Sequence, residues 1–575
     1  MLFRSAVFTT RDNQHVELYD NFTIDRGTHR WKFGGYYYRL RLRPEQPDNA
    51  RGAFTYTGQF TGNAFADFLL GYPTSAAVGI GRGDEDGRTN WLHAYVQDDW
   101  RARQNLTLNL GLRYEFNQHM YDAGNRLSSI DLSTPDGRFV VASDDSDSIH
   151  PSASALLPLI PLPYVTSNQA GWGRGLLDPS AVRLAPRAGF ALTLDDSRAV
   201  VRGGYGVFLN QWAYSVQTAF ARNLPFFFTK QVDVPIEQRV PAQTTRDILT
   251  GPATGTIGGS IMDFAYNVEY SQTWSGGLQY ELWPATLLEV SYMGTWTLGA
   301  DNATVRNVPE PGPGAIQPRR PVPALSRINA IRFDGRSIYH GATLKVERRL
   351  RNNYAYNVSY TLSRSKDDAS SPGPTESEAN VPQNVRNIFD ETGEWALSSF
   401  DHRHQLIASG VVALPFFAGA GGLAEAILGG WRANAILVAQ SGAPFTVNLG
   451  VDRANIGAGP AQRPDQLRDP NLPGGERTAD RWFDPGAFAL QAPFTFGSAP
   501  RNSVIGPGYA NIDLALAKTW RLRGASTLDL RWEIFNVFNR ANFDLPNRIF
   551  GSPDFGRIFS AKNPREMQFG VRVAF

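Results

Sequence analysis

The sequence predicts an all-β fold: a large antiparallel transmembrane β-barrel with long extracellular loops and short periplasmic turns. Three observations predict it. Apolar and polar residues alternate along several segments, short and long connections alternate between those segments, and the chain ends on an apolar alternating strand. We count about sixteen strands and assign residues 1–575 to one barrel domain that is partial at its N-terminal end.

The strands are recognised by a period of two. In Leu106–Phe116 the leucines and aromatic residues occupy every second position and polar residues lie between them, and Tyr354–Leu362 and Leu528–Ile534 repeat this pattern. Each run approaches or reaches the roughly 9–11 residues that a tilted strand needs to cross a bilayer. Because neighbouring side chains in a strand point to opposite faces, each segment has an apolar face for lipid and a polar face for the lumen.

The connections between these segments indicate the topology. Tight turns are predicted near Gly27, at Arg101–Asn105 and at Arg351–Asn353. The long polar connections include Asn117–Val182, Thr297–Arg336, Arg364–Asp401, Ser441–Gly508 and Asn539–Pro564. Outer-membrane barrels have short periplasmic turns and long extracellular loops, so this alternation favours such a barrel. One further stretch, Phe54–Ile80, is long enough to contain another pair of strands.

Five tryptophans lie at or next to short connections, namely Trp31, Trp100, Trp283, Trp431 and Trp520. Barrels carry aromatic girdles at both membrane interfaces, so these residues are predicted to form the periplasmic girdle. The alternative is a set of tryptophans scattered through a core.

The last strand of the chain carries its apolar residues at alternate positions, namely Met567, Phe569, Val571, Val573 and Phe575. This pattern resembles the outer-membrane assembly signal that the barrel-insertion machinery recognises. The alternative is an edge strand of a soluble protein, but an edge strand with such an apolar face is an aggregation hazard in water.

Composition excludes several classes of protein. The chain contains 56 Lys and Arg residues and 54 Asp and Glu residues, which gives a net charge of +2. This charge is too small to produce a positive electrostatic field that would attract nucleic acid. The chain contains 0 Cys, so thiolate metal sites and cysteine nucleophiles are absent. A mean hydropathy of -0.31 is compatible with a barrel because every second strand residue is polar. Gln405–Ala424 is the best candidate for a transmembrane helix, but its glycines and Pro415 favour a strand, a turn and the approach to another strand.

No motif for catalysis or for nucleotide binding is present, so we predict neither an enzyme nor a cofactor. His402 and His404, beside Asp401, are a weak candidate for a metal site, with a polar strand-end cluster as the alternative. Asp84–Asp86 and Asp144–Asp147 offer oxygen ligands for calcium but lack the spacing of an EF-hand, which favours solvated loops.

Several segments together resemble TonB-dependent receptors, most closely the Oar-like subgroup. The segments are Gly27–Gly35, Ala66–Gly71, Tyr95–Trp100, Leu106–Glu115, Asp401–Gln405, Leu428–Trp431, Gln440–Phe445, Gly506–Asp513 and Phe535–Asn539. Their order extends across nearly the whole chain.

The resemblance implies a 22-stranded barrel, an N-terminal plug, a box that engages TonB and often a carboxypeptidase-regulatory-like domain. We expect neither the plug nor that extra domain within residues 1–575. The implied function is a transporter of the cell outer membrane whose loops capture an unknown extracellular ligand for energised uptake. The implied partners are outer-membrane lipid, the barrel-assembly machinery and, given a plug and a TonB box upstream, TonB.

Two other classes of function stay open at this stage. One is a non-energised barrel, either a porin or a surface and adhesion scaffold, because an even set of about sixteen strands can close by itself. The other is a soluble β-rich binding protein.

Overall fold

A computed structural model describes most of the chain. The described residues are 2–4, 10–45, 49–81, 83–177, 183–194, 198–210, 218–233, 240–251, 257–265, 268–368, 370, 387–390, 392–417, 419–449, 451–457, 462–522 and 524–575. Within them, no helix has the length and the hydropathy of a membrane span.

One large sheet dominates the described part of the chain. It contains eighteen strands, of which three short ones, Tyr121–Asp122, Ile257–Met262 and Ala396–Leu397, lie in the loops. The fifteen long strands are β1 Thr10–Arg26, β2 His29–Glu45, β3 Gly87–Arg103, β4 Leu106–Asn117, β5 Arg183–Leu194, β6 Ala199–Leu209, β7 Tyr270–Trp283, β8 Thr286–Arg306, β9 Leu325–Arg351, β10 Tyr354–Asp367, β11 His404–Ala413, β12 Arg432–Gln440, β13 Tyr509–Arg521, β14 Thr527–Phe535 and β15 Glu566–Ala574.

These strands form an antiparallel meander in which each strand pairs with the next one along the chain. The sheet therefore has two edges, β1 and β15, which pair with no further strand within the described residues. β1 leads into the short turn at Gly27, and β15 follows the long connection 536–565. The long connections lie at one end of the strands, called the loop side here, and the tight turns lie at the other end, called the turn side. Both edge strands therefore run from the loop side of the sheet to its turn side.

The register places the apolar residues on one face of the sheet. On this face Val571 of β15 lies opposite Leu530 of β14, and the apolar residues two positions away on each strand are paired in the same way. Lys518 of β13, which lies opposite Leu530, is a charged exception on the same face. The predicted alternation of the last strand is confirmed, because Met567, Phe569, Val571 and Val573 share this outward face with their β14 partners. Polar residues occupy the inward face, as a barrel requires.

The connections on the turn side are tight, and left-handed residues make several of them. Gly27 has φ 62° between β1 and β2, while Asn352 and Asn353 have φ 55° and 70° between β9 and β10. Glycine and asparagine are the residues that adopt this conformation at the lowest cost. The short turns predicted near Gly27 and at Arg351–Asn353 are therefore confirmed.

The loop side carries structure of its own. Its helices are α1 Ala64–Leu70 and α2 Thr245–Thr250, and 3₁₀ turns occur at Pro151–Ala153, Leu157–Leu159, Thr218–Arg222, Gln317–Arg319, Thr392–Glu394, Gly474–Glu476 and Pro485–Ala487. The described residues also form five small sheets in the loops. The four-stranded sheet contains Leu2–Arg4, Ala53–Thr55, Ser75–Gly81 and Phe227–Asp233, and the three-stranded sheet contains Ser128–Asp131, Arg138–Val141 and Tyr164–Thr166. The three two-stranded sheets pair Pro444–Phe445 with Val504–Ile505, Asn448–Leu449 with Ile549–Phe550, and Asp465–Gln466 with Phe488–Ala489.

Three sequence predictions need correction. The described strands of the meander number fifteen, and Phe54–Ile80 adds none, because its strands join a separate sheet of the loops. Thr297–Arg336 is only partly a loop, since the ladder between β8 and β9 continues out to Arg306 and Ile328. Gln405–Ala424 enters a third helix, α3 Gly422–Leu428, on the turn side. Helix formation there follows from Leu, Ala, Glu and Ile, which are good or acceptable helix formers.

We predict that Gly442→Ala disrupts the loop between β12 and β13. A Cβ atom on Gly442 would collide with the carbonyl oxygen of Gly506, and backbone cannot move aside as a side chain can. Overpacking of this kind costs about 1–3 kcal/mol. Faster limited proteolysis of residues 441–508 in detergent-solubilised protein is the expected result. Gly474→Ala, which meets open space, is the matched control, and equal proteolysis of the two variants would contradict the prediction.

Candidate functional site

The inward face of the sheet forms a lumen wall whose chemistry changes around the meander. On β7 to β10 it is lined by small hydroxyl residues that pair across strands: Ser271 Oγ lies 2.8 Å from Thr297 Oγ1, and Thr343 Oγ1 lies 3.0 Å from Thr361 Oγ1. These hydroxyl groups satisfy one another on the loop-side part of the wall. Closer to the turn side the same face carries charge, because Lys345 Nζ lies 2.6 Å from a carboxylate oxygen of Glu347.

The wall on β1 to β4 is aromatic and charged. Tyr36 lies 5.3 Å from His93 between ring centroids, and Tyr38 lies 4.5 Å from Trp91. Closer to the turn side, Lys32 Nζ is 2.6 Å from a carboxylate oxygen of Asp99. Flat rings and paired charges on one wall provide stacking and hydrogen-bonding groups for whatever occupies the lumen.

The loops between β2 and β9 pack into one body with an apolar interior. Ile130 and Phe139 come from the connection between β4 and β5, Leu224 and Phe228 come from the connection between β6 and β7, and Leu325 begins β9. Each exposes at most 5% of its surface. Burial on this scale is typical of a folded domain, because exposed loops rarely exclude water from such side chains. The loops of this half therefore form a fixed surface above the barrel.

A second body lies on the loop side of the sheet. It combines the connections after β12 and β14 around Phe445, Phe483 and Phe488, and the ring of Phe483 lies 5.0 Å from that of Phe555. The proline-rich tip between β8 and β9 joins the two bodies, because Asn455 donates to the carbonyl oxygens of Gly312 and Gly314, each at 2.8 Å.

Two buried arginines fasten the β10–β11 connection to this second body. Arg463 lies 2.6 Å from Glu394, and the two side chains are 0% and 4% exposed. Arg501 contacts the carboxylate of Asp367 and donates to the carbonyl oxygen of Glu394 at 3.0 Å. A buried pair of this kind is costly to break, because removing one partner leaves an uncompensated charge.

A polar cavity of about 540 Å³ opens between the loop-side ends of β13, β14 and β15. Its lining includes Asn511, Asp513, Asn536, Asn542, Lys562 and Glu566. Asn511 and Asp513 are on the inward face, because Ile512 and Leu514 between and after them face outward with the apolar set. Carboxylate, amide and ammonium groups at the lumen mouth suit a polar ligand with several hydrogen-bonding groups.

The acidic stretch Asp84–Asp86 is not a solvated loop. Asp84 pairs with Arg126 at 2.7 Å, and Asp86 pairs with Arg41 at 2.7 Å. Glu85 is only 3% exposed, and neither of its carboxylate oxygens has a hydrogen-bond partner among the described residues. Burial, followed by the charge of Asp122, raises the pKa of Glu85 to about 8. Its carboxyl group is therefore protonated at neutral pH.

His402 and His404, the candidate metal ligands, have separate partners. His402 Nδ1 lies 2.7 Å from the carbonyl oxygen of Ser441, and His404 Nδ1 lies 2.7 Å from the hydroxyl of Tyr360. His404 is opposite Leu362 on the outward face. The described residues contain no group of three or more His, Cys, Asp or Glu placed to hold a metal ion.

The five predicted girdle tryptophans lie at the turn-side rim. Trp31, Trp100, Trp283 and Trp520 are within the turn-side ends of β2, β3, β7 and β13, and Trp431 directly precedes β12. Their contact with lipid stays a prediction, as does the role of Met567 to Phe575 as an assembly signal.

Comparison with known proteins identifies the architecture. A family model described as an outer membrane beta barrel domain matches residues 3–568. The chain belongs to that family. It is therefore an integral β-barrel of the cell outer membrane, with the predicted fold class and location confirmed. No curated protein matches the chain.

Solved structures of transporters and receptors are similar to this chain, and the one that supports the fold is YddB. The outer membrane transporter YddB from Escherichia coli is 12% identical, with a TM-score of 0.53 over 98% of this chain and 54% of that one. The ferric yersiniabactin uptake receptor FyuA from Yersinia pestis is 11% identical, with a TM-score of 0.43 over 98% and 53%. The siderophore receptor PiuA from Acinetobacter baumannii is 9% identical, with a TM-score of 0.43 over 98% and 56%. The chain spans about half the length of these structures.

Sequence reasoning did not find the buried arginine pairs or the cavity at the lumen mouth. Arg463 and Glu394 are 69 residues apart, and Arg501 and Asp367 are 134 apart, so no local spacing marks them. The local signals at the cavity are two of the segments that resemble the receptor family: Gly506–Asp513, which contributes Asn511 and Asp513, and Phe535–Asn539, which contributes the buried Asn536.

We predict that Arg501→Met loosens the second loop body, because Asp367 would stay buried without its cation. Loss of one partner of a buried pair costs about 3–5 kcal/mol. Arg468→Met is the control: its pair with Asp484 has an exposed arginine, 58% by side chain, and exposed pairs contribute about 0–1 kcal/mol. Trypsin cleavage within residues 441–508 is expected to accelerate only in the first variant. Similar cleavage of both would overturn the assignment.

Glu85 makes the first loop body sensitive to pH. Its pKa of about 8 in the folded protein exceeds the ordinary value of 4.5, so the folded state binds the proton more tightly than the unfolded state. The contribution of Glu85 to the free energy of unfolding is therefore fully present below about pH 4.5 and is lost as the pH rises through about 8.

Glu85→Gln is expected to remove this pH dependence, since the amide stays neutral throughout. The measurement is the urea concentration at which loop residues 49–86 become cleavable at pH 5, 7 and 9. The difference between variant and wild type at each pH cancels the protease's own pH dependence. A constant difference across the series would show that Glu85 does not titrate in this window.

Proposed function

We propose that this chain is the greater part of the barrel of a TonB-dependent transporter, which captures an extracellular ligand for energised uptake. The family match and the YddB fold support a transporter barrel. The ordered segments that resemble the Oar-like subgroup support the assignment to TonB-dependent receptors. Capture is proposed to occur on the two packed loop bodies and in the polar cavity at the lumen mouth.

The observation that carries this proposal is the direction of the two free edges. β1 and β15 run the same way, so joining them directly would require a parallel pair. Antiparallel closure needs an odd number of additional strands between them. Seven would give the 22 strands that the family resemblance implies. Bacterial single-chain barrels have even strand numbers, so a barrel larger than this meander is favoured over a porin that closes by itself.

The lipid environment strengthens this argument. Val16, Leu18 and Phe22 of β1 and Phe569 and Val571 of β15 are all more than half exposed. They lie on edges whose backbone groups have no ladder partner in the described part of the chain. Unpaired N–H and C=O groups cost several kcal/mol each in a bilayer, so both edges need partners. Energised uptake would then depend on TonB acting on a plug in the lumen, where the wall of β1 to β4 offers paired charges and rings.

Cysteine cross-linking tests the proposal, because the chain contains 0 Cys and introduced thiols are unambiguous. Leu18→Cys is combined in turn with Phe569→Cys, Val571→Cys and Val573→Cys, and the protein is oxidised in outer membranes. Disulfide formation requires Cβ atoms about 3.5–4.5 Å apart. We expect no cross-link between the two edges.

The positive control is Leu530→Cys with Val571→Cys, because these residues lie opposite each other on neighbouring strands. It is expected to cross-link. If a Leu18 pair cross-links as efficiently as this control, the meander closes on itself and the non-energised porin or scaffold becomes the correct function.

A further inference from the structure

The turn-side connection between β11 and β12, residues 414–431, departs from the tight turns found elsewhere on that side. It contains α3, Gly422–Leu428, and all seven helix residues are exposed. A helix this short has little stability of its own and depends on tertiary contacts. The contacts that hold it come from the outward face of the barrel wall.

Three side chains on the outward face donate hydrogen bonds to backbone carbonyl oxygens at the C-terminal end of α3. Trp431 Nε1 donates to the carbonyl oxygen of Ile427 at 2.9 Å, and Trp520 Nε1 donates to that of Ala426. Lys518 Nζ donates to the carbonyl oxygen of Gly429 and, at 3.3 Å, to that of Glu425. The last carbonyl groups of a helix lack intrahelical partners, so the bonds from the two tryptophans satisfy the carbonyl oxygens of Ala426 and Ile427, which would otherwise need water.

The register shows that these donors belong to the lipid-facing side. Lys518 lies opposite Leu530 and Trp520 lies opposite Leu528, which share a face with Val571 and Val573. An ammonium group on that face is costly in lipid. Here Lys518 is only 4% exposed, because α3 covers it and the negative end of the helix dipole faces it. The helix therefore lies against the outer surface of the barrel, outside the lumen.

The remaining surface of this connection is apolar. Phe416, Phe417, Leu423, Ile427 and Leu428 are 63%, 50%, 74%, 51% and 50% exposed. The one charged helix residue, Glu425, accepts a hydrogen bond from the backbone N–H of Gly421 at 3.0 Å. The patch is continuous with the lipid-facing surface through Trp431 and Trp520, whose rings meet edge to face at 6.3 Å.

We propose that α3 is an interfacial anchor that inserts this apolar patch into the periplasmic leaflet of the outer membrane. Its occupant is phospholipid at the boundary between head groups and acyl chains, where amphipathic helices bury their apolar face. Continuity with the lipid-facing wall favours lipid over a soluble protein, since the helix is fastened to that wall by three side chains. The anchor fixes the barrel's depth at its turn-side rim.

A fluorescent probe on an introduced cysteine tests the anchor in the full chain. Leu423→Cys carries an environment-sensitive NBD label, in native outer membranes and in phospholipid vesicles that contain lipids with spin-labelled acyl chains. Leu530→Cys on the lipid face and Ala525→Cys in the exposed β13–β14 turn are the matched controls. Phe416→Cys is the second position, for use if the first variant does not assemble.

We expect the probe at Leu423 to be quenched by spin-labelled lipid as strongly as the probe at Leu530 and to be shielded from aqueous iodide. Quenching by iodide to the extent seen at Ala525 would overturn the proposal. Shielding in native membranes together with iodide quenching in vesicles would also overturn it, because a periplasmic protein would then cover the patch.

Discussion

The hydrogen-bonding requirement of a backbone in lipid is the constraint on which this structure depends. Each of the inner strands of the meander pairs on both sides, and only β1 and β15 lack a partner within the described residues. Because unpaired groups are costly in hydrocarbon, closure of this ladder decides what kind of barrel the chain belongs to. An antiparallel meander changes direction at every strand, so an odd number of strands leaves its two edge strands running the same way. Two such edges cannot pair in an antiparallel manner, and the direction of the edges therefore indicates whether the meander can close by itself.

The loop side obeys different physics, because water is available there. The connections fold as soluble domains do, with apolar interiors around Phe139 and Phe483 and with ion pairs such as Arg463 to Glu394 fully withdrawn from water. Loops packed in this way lose little conformational entropy when a ligand binds, which favours affinity. The proposed capture surface is therefore preorganised, and the polar cavity beside β15 lies where a ligand would enter the lumen.

The turn-side rim combines the two environments. Lys518 is a charged residue on the otherwise apolar outward face. Its ammonium group donates hydrogen bonds to backbone carbonyl oxygens in and next to α3, which covers it. Trp431 and Trp520 contribute in the same way, with their rings on the wall and their N–H groups directed to the helix. Amphipathic side chains of this kind are suited to an interface that is apolar on one side and wet on the other.

The sequence by itself determined the fold class, the apolar face of strands such as Leu528–Ile534, the short turns and the sidedness of the long loops, because a period of two is a local property. It assigned all of Thr297–Arg336 to a loop, although the ladder between β8 and β9 extends into both ends of that range. It left open a further pair of strands in Phe54–Ile80, where the strands join a separate sheet of the loops. Only the tertiary structure decided the odd number of described strands in the meander, the Arg501 to Asp367 contact, the protonated Glu85 and the docking of α3. Each of these depends on which distant residues meet, and a contact such as that between Arg501 and Asp367, which are 134 residues apart, leaves no spacing in the sequence.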